Sequence, residues 1–448
     1  MNTSSPLNSP NFEALVQRSS LCSRYIQRLL GAEPDLLHWL RENYIKPCNS
    51  REMTIWLDAL LNHDEAELAS ALRKLRKRVM LILLTRDLGG LADLNEVIAS
   101  MTALAELTVQ RAQISAMQVM EQQYGQPIGA ESCKPQQLLI IGMGKLGGRE
   151  LNVSSDIDLI FVYPEDGATN GERSIDNNDF FNRLGRKIIA LINDITADGY
   201  VFRVDMRLRP YGDSGTLAMS FSALEEYLVA QGREWERYAW IKARVIAPAD
   251  SPDTIELFKL AQPFVFRKYL DFGAFESMRK LHSQIRQEVL RRDRLNNVKL
   301  GPGGIREIEF IAQVFQLIRG GRDARLRIRP TQSVLKLLAE NGQISAASAE
   351  ELDSAYIFLR NLEHRLQYLD DQQTQELPEN ADDQAIIANA MEYPAYEDML
   401  IVFNQHRDIV SKYFEQIFST QEDSSDSSSS PLWVGRIRRR ASRPPLIS

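Results

Sequence analysis

Seven residues separate Gly148 from Asp156, and that gap constrains the chain more than any other feature. Upstream, Leu138 to Ile141 is a short apolar run of strand type leading into a turn with Gly142, Gly144, Gly147 and Gly148. Downstream, Asp156 and Asp158 are set in the apolar run Ile157, Leu159, Ile160, Phe161, Val162, which is short and β-branched and reads as a strand. Gly142, Gly144 and Gly147 match G-x-G-x-x-G, the dinucleotide fingerprint. A parallel crossover takes a dozen or more residues, and seven do not suffice. The second strand is therefore expected to be antiparallel to the first, or reached through a very short helix. A P-loop fails too, because no Gly-Lys-Ser/Thr follows at the required spacing.

Residues i and i+2 of a strand share a face, so Asp156 and Asp158 are expected side by side. Their repulsion is costly unless a cation neutralises it. The pattern points to a divalent-metal site beside a phosphate-binding turn. Backbone N–H groups at Gly144, Gly147 and Gly148 suit phosphate oxygens, because glycine permits close approach. Lys145 adds a point charge, and Ser154 or Ser155 a donor. Magnesium takes oxygen ligands, and two ions clamp the attacking and leaving oxygens of an in-line displacement. That mechanism asks for a third carboxylate on a neighbouring strand. Tyr200 to Leu208 alternates cleanly, with Phe202, Val204, Met206 and Leu208 on one face and Arg203, Asp205 and Arg207 on the other. Asp205 is the third carboxylate this predicts, with the arginines stabilising phosphoryl charge.

The rest of the chain is mainly of helix period. Residues 12 to 125 carry apolar stripes such as Leu68, Leu72, Leu75, Val79. The cluster Arg73, Lys74, Arg76, Lys77, Arg78 reads as a solvated helix face. Tyr124 to Pro135 is loop-rich, Pro164 to Asn178 a polar loop, and Phe180 to Ile192 a helix. From Phe221 to about residue 419 the pattern is helical, interrupted at Gly301-Pro-Gly-Gly, with long helices at Leu352 to Leu369 and Tyr396 to Phe418. The expected organisation is a helical region over 1–125, a sheet-containing core over 126–250, a helical bundle over 251–420 and a disordered tail over 421–448. Glu307 and Glu309 lie in the first turn of a helix, where function and packing are not separable. The five histidines form no cluster, and no nucleophile elbow is present for a Ser-His-Asp hydrolase.

A charged content of 25% suits a soluble protein, and a net charge of -7 argues against wholesale nucleic-acid coating though not against a local basic groove; no nucleic-acid or membrane partner is expected. Cys22, Cys48 and Cys133 are far apart, the first residues lack a signal sequence, and no apolar run is long enough to span a bilayer. A cytoplasmic location is expected. The last residues, with five arginines from Arg436 to Arg443, read as an unstructured end.

Four blocks, LLIIGMGKLGGRELNVSSDIDLIFVY, FRVDMRLRPYGDSGTLAMS, REWERYAWIKARVIA and LGPGGIREIEFIAQVFQLIRGGR, strongly resemble glutamine synthetase adenylyltransferase, the bifunctional adenylyl-transferring and adenylyl-removing enzyme. Its catalytic halves belong to the polymerase-β-like nucleotidyltransferase superfamily. The resemblance implies an α+β fold: a mostly helical chain with a small mixed-sheet nucleotidyltransferase core, helices on one face, flanked by helical regions. The family enzyme is about twice this long, and this chain looks like its N-terminal, adenylyl-removing half. The unrelated-looking tail stands where the family continues, so a fragment or a truncated gene is expected. The implied activity is phosphorolysis of AMP-tyrosine on glutamine synthetase to ADP and tyrosine. ATP-dependent adenylylation, or docking without catalysis, are the alternatives. By match, Asp156, Asp158 and Asp205 would hold two magnesium ions. The turn Gly144 to Gly148, with Lys145 and Ser155, would hold the phosphates of ADP or ATP, and Arg207 and Arg209 would assist. The implied partners are adenylylated glutamine synthetase, inorganic phosphate and, in the full-length enzyme, the PII signalling protein.

Overall fold

A strand that is apolar at consecutive positions must be covered on both faces, and that requirement organises the molecule. The computed structural model describes residues 11–61, 67–267 and 295–418. The expected tail, His63 and His282 lie outside them. The strands are β1 (Pro127–Gly129), β2 (Leu139–Gly142), β3 (Ile157–Tyr163), β4 (Gly167–Thr169), β5 (Val204–Asp205), β6 (Ala218–Ser220) and β7 (Arg244–Ala247). β2 and β3 pair antiparallel, with Leu139 opposite Val162 and Gly142 opposite Leu159. They are joined through a four-residue helix, Gly144–Gly147. The two alternatives left by the seven-residue gap thus occur together. β7 pairs antiparallel with β2, whereas β5 and β6 pair parallel with β3, so the sheet is mixed. Its order is β5-β3-β2-β7, with β6 also against β3.

The parallel step from β3 to β5 is made by the helix Asn177–Asn193, started by Asp176, whose side chain accepts from the Asp179 N–H. Alternation along β3 divides the apolar residues between two cores. Ile157, Leu159, Phe161 and Tyr163 pack with the N-terminal helices and with Phe180, Leu184 and Ile188. Ile160 and Val162 pack with the later helices, through residues such as Ile308, Ile311 and Leu362. Asp158 has the parity of Ile160 and Val162. It therefore faces the second body of helices.

The chain is α+β as expected, but helices cover both faces of the sheet rather than one. The expected strand Tyr200 to Leu208 shrinks to Val204–Asp205. The Asp205 carboxylate accepts the Arg207 backbone N–H at 2.8 Å, and the Arg209 N–H donates to the Met206 carbonyl. This side-chain-to-backbone turn ends the strand. Four strands arise where none was expected: β7 within a stretch of helical pattern, β6 just before it against β3, and β1 and β4, which pair in a two-stranded ribbon. The helices Ala346–Tyr368 and Tyr396–Phe418 are long, as the periodicity predicts.

The basic cluster is not a solvated face. Arg73 is buried and donates to the carbonyls of Gly199 (2.9 Å) and Leu191 (3.1 Å). Arg76 is buried against Asp371 at 2.8 Å, Lys77 pairs with Glu33, and Arg78 lies over Trp39. Periodicity alone misreads it, because a guanidinium that reaches loop carbonyls is buried without a carboxylate of matching spacing. Cys22, Cys48 and Cys133 are all free thiols. Among the described residues no helix is long and apolar enough to cross a membrane.

Candidate active site

Asp158 lies opposite Asp205 in the parallel register of β3 and β5. Paired residues on neighbouring strands, about 4.8 Å apart, turn their side chains to one face. The two carboxylates therefore enter the same space. That space is a cleft of about 610 Å³, bordered by Asp156, Asp158 and Asp205 together. Gly144, Lys145 and Ser155 border it from the turn, and Trp235, Tyr238 and Phe310 from the helices Glu234–Trp240 and Ile305–Arg319.

Each carboxylate has a distinct environment. Burial, then the charges of Asp205 and Asp156, push the Asp158 carboxyl up to about 6. Asp205 is held below the usual carboxylate range by its hydrogen bonds to Arg207, 2.5 Å from Nη2. Asp156 accepts from Arg203 Nε at 2.7 Å, and Gln373, its amide turned to donate, reaches Asp156 Oδ1 at 3.0 Å. Arg203 also donates to the Ser154 carbonyl at 3.1 Å. It braces the aspartate loop, and among the described residues it does not border the cleft.

The glycine turn divides its work. Gly144 has φ +51°, and a Cβ there would stand 3.1 Å from Asp158 Oδ2. Glycine is required for that conformation and for that approach. Gly147 and Gly148 do not border the cleft. A Cβ on Gly147 would lie 1.9 Å from the Lys242 carbonyl oxygen and 2.4 Å from that of Gly142, both backbone atoms. Its glycine lets the short helix rest on the chain leading into β7. Gly147→Ala is expected to destabilise by roughly 3 kcal/mol or more, because neither carbonyl can move aside. A urea midpoint unchanged from the parent protein would contradict this.

Lys145 borders the cleft, but its ammonium is bound by Glu363 at 2.9 and 3.0 Å, and burial lowers its pKa to about 7. Ser155 is at the cleft and Ser154 is buried, its N–H donating to Gln367 Oε1 at 3.1 Å. Arg207 borders the cleft, paired with Asp205. Arg209 lies away from it, donating to the Met206 carbonyl at 2.8 Å and 3.6 Å from Asp213.

Several residues at the cleft escape a local reading. Lys242 is buried and donates to Glu150 at 2.6 Å, Glu309 at 3.3 Å and Thr331 at 3.2 Å. Burial raises the Glu309 carboxyl, but Lys242, Lys145 and Lys299 outweigh it and hold the group near 2. Glu309 is thus a cleft residue, while Glu307 accepts the Gly303 N–H at 3.0 Å and braces the preceding loop. The one sequence signal near Lys299 and Arg306 was the interruption Gly301-Pro-Gly-Gly between them. His364 is buried beside Asn152, its pKa lowered by burial, and plays no part in the cleft.

A hard divalent cation takes carboxylate oxygens, few from protein and the rest from substrate and water. The register pair Asp158 and Asp205 with Asp156 fits that donor set, and burial with the neighbouring carboxylates raises the Asp158 carboxyl although Lys299 and Arg207 act against the rise. Among the described residues no group of three or more His, Cys, Asp or Glu is gathered so as to hold a metal ion as it stands. Asp156 and Asp205 spend oxygens on Arg203 and Arg207 instead.

Residues 15–258 match the family model described as glutamate-ammonia ligase adenylyltransferase. Residues 279–418 match that described as GlnD PII-uridylyltransferase. A bifunctional glutamine synthetase adenylyltransferase/adenylyl-removing enzyme of Nitrosomonas eutropha is 54% identical over 420 residues, which is 93% of this chain and 45% of the relative. One of the same name from Chromobacterium violaceum is 54% identical, covering 95% of this chain and 47% of the relative. Another, from Neisseria meningitidis serogroup B, is 48% identical over 90% and 44%. The chain spans about half the length of these curated relatives.

Proposed function

The chain belongs to the glutamate-ammonia ligase adenylyltransferase family, and from that premise we propose that it removes AMP from an adenylylated tyrosine of glutamine synthetase by metal-dependent phosphorolysis. The observation that carries the chemistry is the facing of Asp158 and Asp205 across two strands, with Asp156 at the same cleft. The direction rests on the likeness of this sequence to the adenylyl-removing half of the family enzyme.

Asp156, Asp158 and Asp205 would hold magnesium, two ions in the fullest form of the site. When bound there, magnesium supplies positive charge against the negative charge that builds on the attacking and leaving oxygens. The chain's own groups do the rest. Gly144 leaves the space beside Asp158 open to a phosphate group. Lys145 and Ser155 border that space, and Glu363 fixes the direction of the lysine. Arg207, most of its side chain exposed, exchanges Asp205 for a phosphate oxygen when that carboxylate is engaged. The aromatic wall of Trp235 and Tyr238 suits an adenine ring. Phosphate attacks the α-phosphorus in line, the bond to the tyrosyl oxygen breaks, and the phenolate takes up a proton. No covalent enzyme intermediate is needed.

The test is to incubate the protein with adenylylated glutamine synthetase, magnesium and phosphate. ADP and unmodified glutamine synthetase are the expected products, with chelator abolishing both. Release of no ADP overturns the reading. Addition of AMP to glutamine synthetase from ATP instead would assign the opposite direction, and binding without turnover a docking role.

A further inference from the structure

Five cationic side chains border the cleft among the described residues: Lys145, Arg207, Lys242, Lys299 and Arg306. Three are already committed. Lys145 is bound to Glu363, Arg207 to Asp205, and Lys242 to Glu150 and Glu309. Lys299 and Arg306 have no ion-pair partner among the described residues, although both are half-buried. A charge held partly out of water without a partner is costly. Two such charges on one wall of a cleft are explained by an anion that binds between them.

The two are held together by backbone. The Arg306 N–H donates to the Lys299 carbonyl at 3.1 Å, and Asn297 Oδ1 accepts the N–H groups of Lys299 (3.0 Å) and Leu300 (2.7 Å). Asn297 is itself fixed by Glu376 at 2.7 Å. Gly303, at φ +69° with a Cβ position 2.1 Å from the Arg407 carbonyl oxygen, lets the loop return so that both side chains reach one cleft. The loop is built rather than loose, which lowers the ordering cost of binding. Lys299 bears electrostatically on Asp158, Lys145, Glu309 and Glu363 at once, so it stands near the aspartates.

We propose that Lys299 and Arg306 form the subsite for the attacking inorganic phosphate, which is also the subsite for the β-phosphate of the ADP product. The inference rests on the phosphorolytic reading above. Arginine and lysine together suit a tetrahedral oxyanion, one as a fork and the other as a point charge. In the step served, one phosphate oxygen forms a bond to the α-phosphorus of AMP-tyrosine. The bond from that phosphorus to the tyrosyl oxygen breaks, its electron pair leaves on the phenolate, and a proton from solvent neutralises it. The bound phosphate becomes the β-phosphate of ADP. A water molecule in its place would yield AMP, so the two cations set the choice between phosphorolysis and hydrolysis.

The variants Lys299→Met and Arg306→Met test this, with Lys299→Arg as the conservative control and melting curves to verify folding. Each Met variant is expected to raise the KM for phosphate roughly tenfold to hundredfold and to lower the ratio of ADP to AMP among the products. Lys299→Arg is expected to restore most of both. An unchanged phosphate KM and product ratio in both Met variants overturns the proposal. Calorimetry separates this from the reading it rests on. If the parent protein releases no ADP from adenylylated glutamine synthetase, that reading fails. The subsite then still stands if the parent binds ADP more tightly than AMP and both Met variants lose that difference while keeping their AMP affinity. Retention of the difference in both overturns the subsite.

Discussion

Asp158→Asn is expected to abolish phosphate-dependent ADP release while making the metal-free protein more stable. The loss of rate is expected to be about 10³-fold or more, some 4 kcal/mol of transition-state stabilisation. Asparagine keeps the shape but cannot balance a divalent cation. The gain in stability has its origin in the folded carboxylate. Burial and the neighbouring charges of Asp205 and Asp156 raise Asp158 to about 6, above the value near 4 of an unfolded aspartate. A group raised in this direction contributes stability that is fully present below about pH 4 and is lost as pH climbs through about 6. At pH 8 in chelator the ionised group costs on the order of 2–3 kcal/mol, which the neutral amide avoids. The variant should therefore melt higher at pH 8, with the gap closing by pH 4. Magnesium should stabilise the parent and leave the variant nearly unmoved. A variant that keeps ADP release, or that melts with the parent at every pH, would show that Asp158 is an ordinary strand residue.

The second large effect lies behind the glycine turn. Glu363→Gln is expected to destabilise the protein by about 3–5 kcal/mol, because it removes from a buried ion cluster the anion in direct contact with Lys145 and Arg360. Glu363 is fully buried, binds Lys145 at 2.9 Å and lies 3.4 Å from Arg360. Burial alone would raise its carboxyl, yet Lys145 and Arg360 pull it far below the ordinary range. Lys145 tolerates the loss by shedding a proton, since burial has brought it to about 7. Arg360 does not have that recourse. Its remaining hydrogen-bond acceptors are neutral, the Glu150 carbonyl at 2.7 Å and Asn152 and the Tyr356 hydroxyl, each at 2.5 Å, while the Glu150 and Glu309 carboxylates act on it only from further away. Adding Lys145→Met to Glu363→Gln should cost less than the sum of the two single changes, and a urea double-mutant cycle measures the difference. Strict additivity would mean that lysine and glutamate do not act as a pair. Glu363 should also make the parent acid-sensitive. A depressed carboxyl contributes stability present above the unfolded value and lost as pH falls below it, and Glu363→Gln should flatten that acid limb.

The parts of the molecule legible in sequence are those built from local alternation and short gaps. The two apolar runs and the seven residues between Gly148 and Asp156 left an antiparallel second strand or a very short connecting helix, and β2 and β3 show both. The same runs also put Asp156 and Asp158 next to the glycine turn. The parity of Asp205 on a second alternating run suggested its place, and its Cα register with Asp158 agrees. β7 was not legible, because Arg244–Ala247 is short and is made a strand by the free edge of β2. The depth of Arg73 and Arg76 was not legible either, since their partners lie more than 100 residues away.

At the cleft the same division holds residue by residue. Sequence identified the anionic wall, because two aspartates in an apolar strand are conspicuous and their repulsion asks for a cation. It also singled out four glycines without distinguishing them. Only the packing of the turn against Lys242 separates Gly144, which keeps space open beside Asp158, from Gly147, which lets two backbones touch. Of the cationic side chains at the cleft, Lys145 and Arg207 were legible beside the aspartates, whereas Lys299 and Arg306 came from tertiary structure. Lys299 and Arg306 follow the aspartates by more than 140 residues and carry no local pattern, and which lysine is spent on a glutamate depends on what the helices bring within about 3 Å. Local periodicity determines what a strand presents; the partner each charge finds is decided only when distant segments close around it.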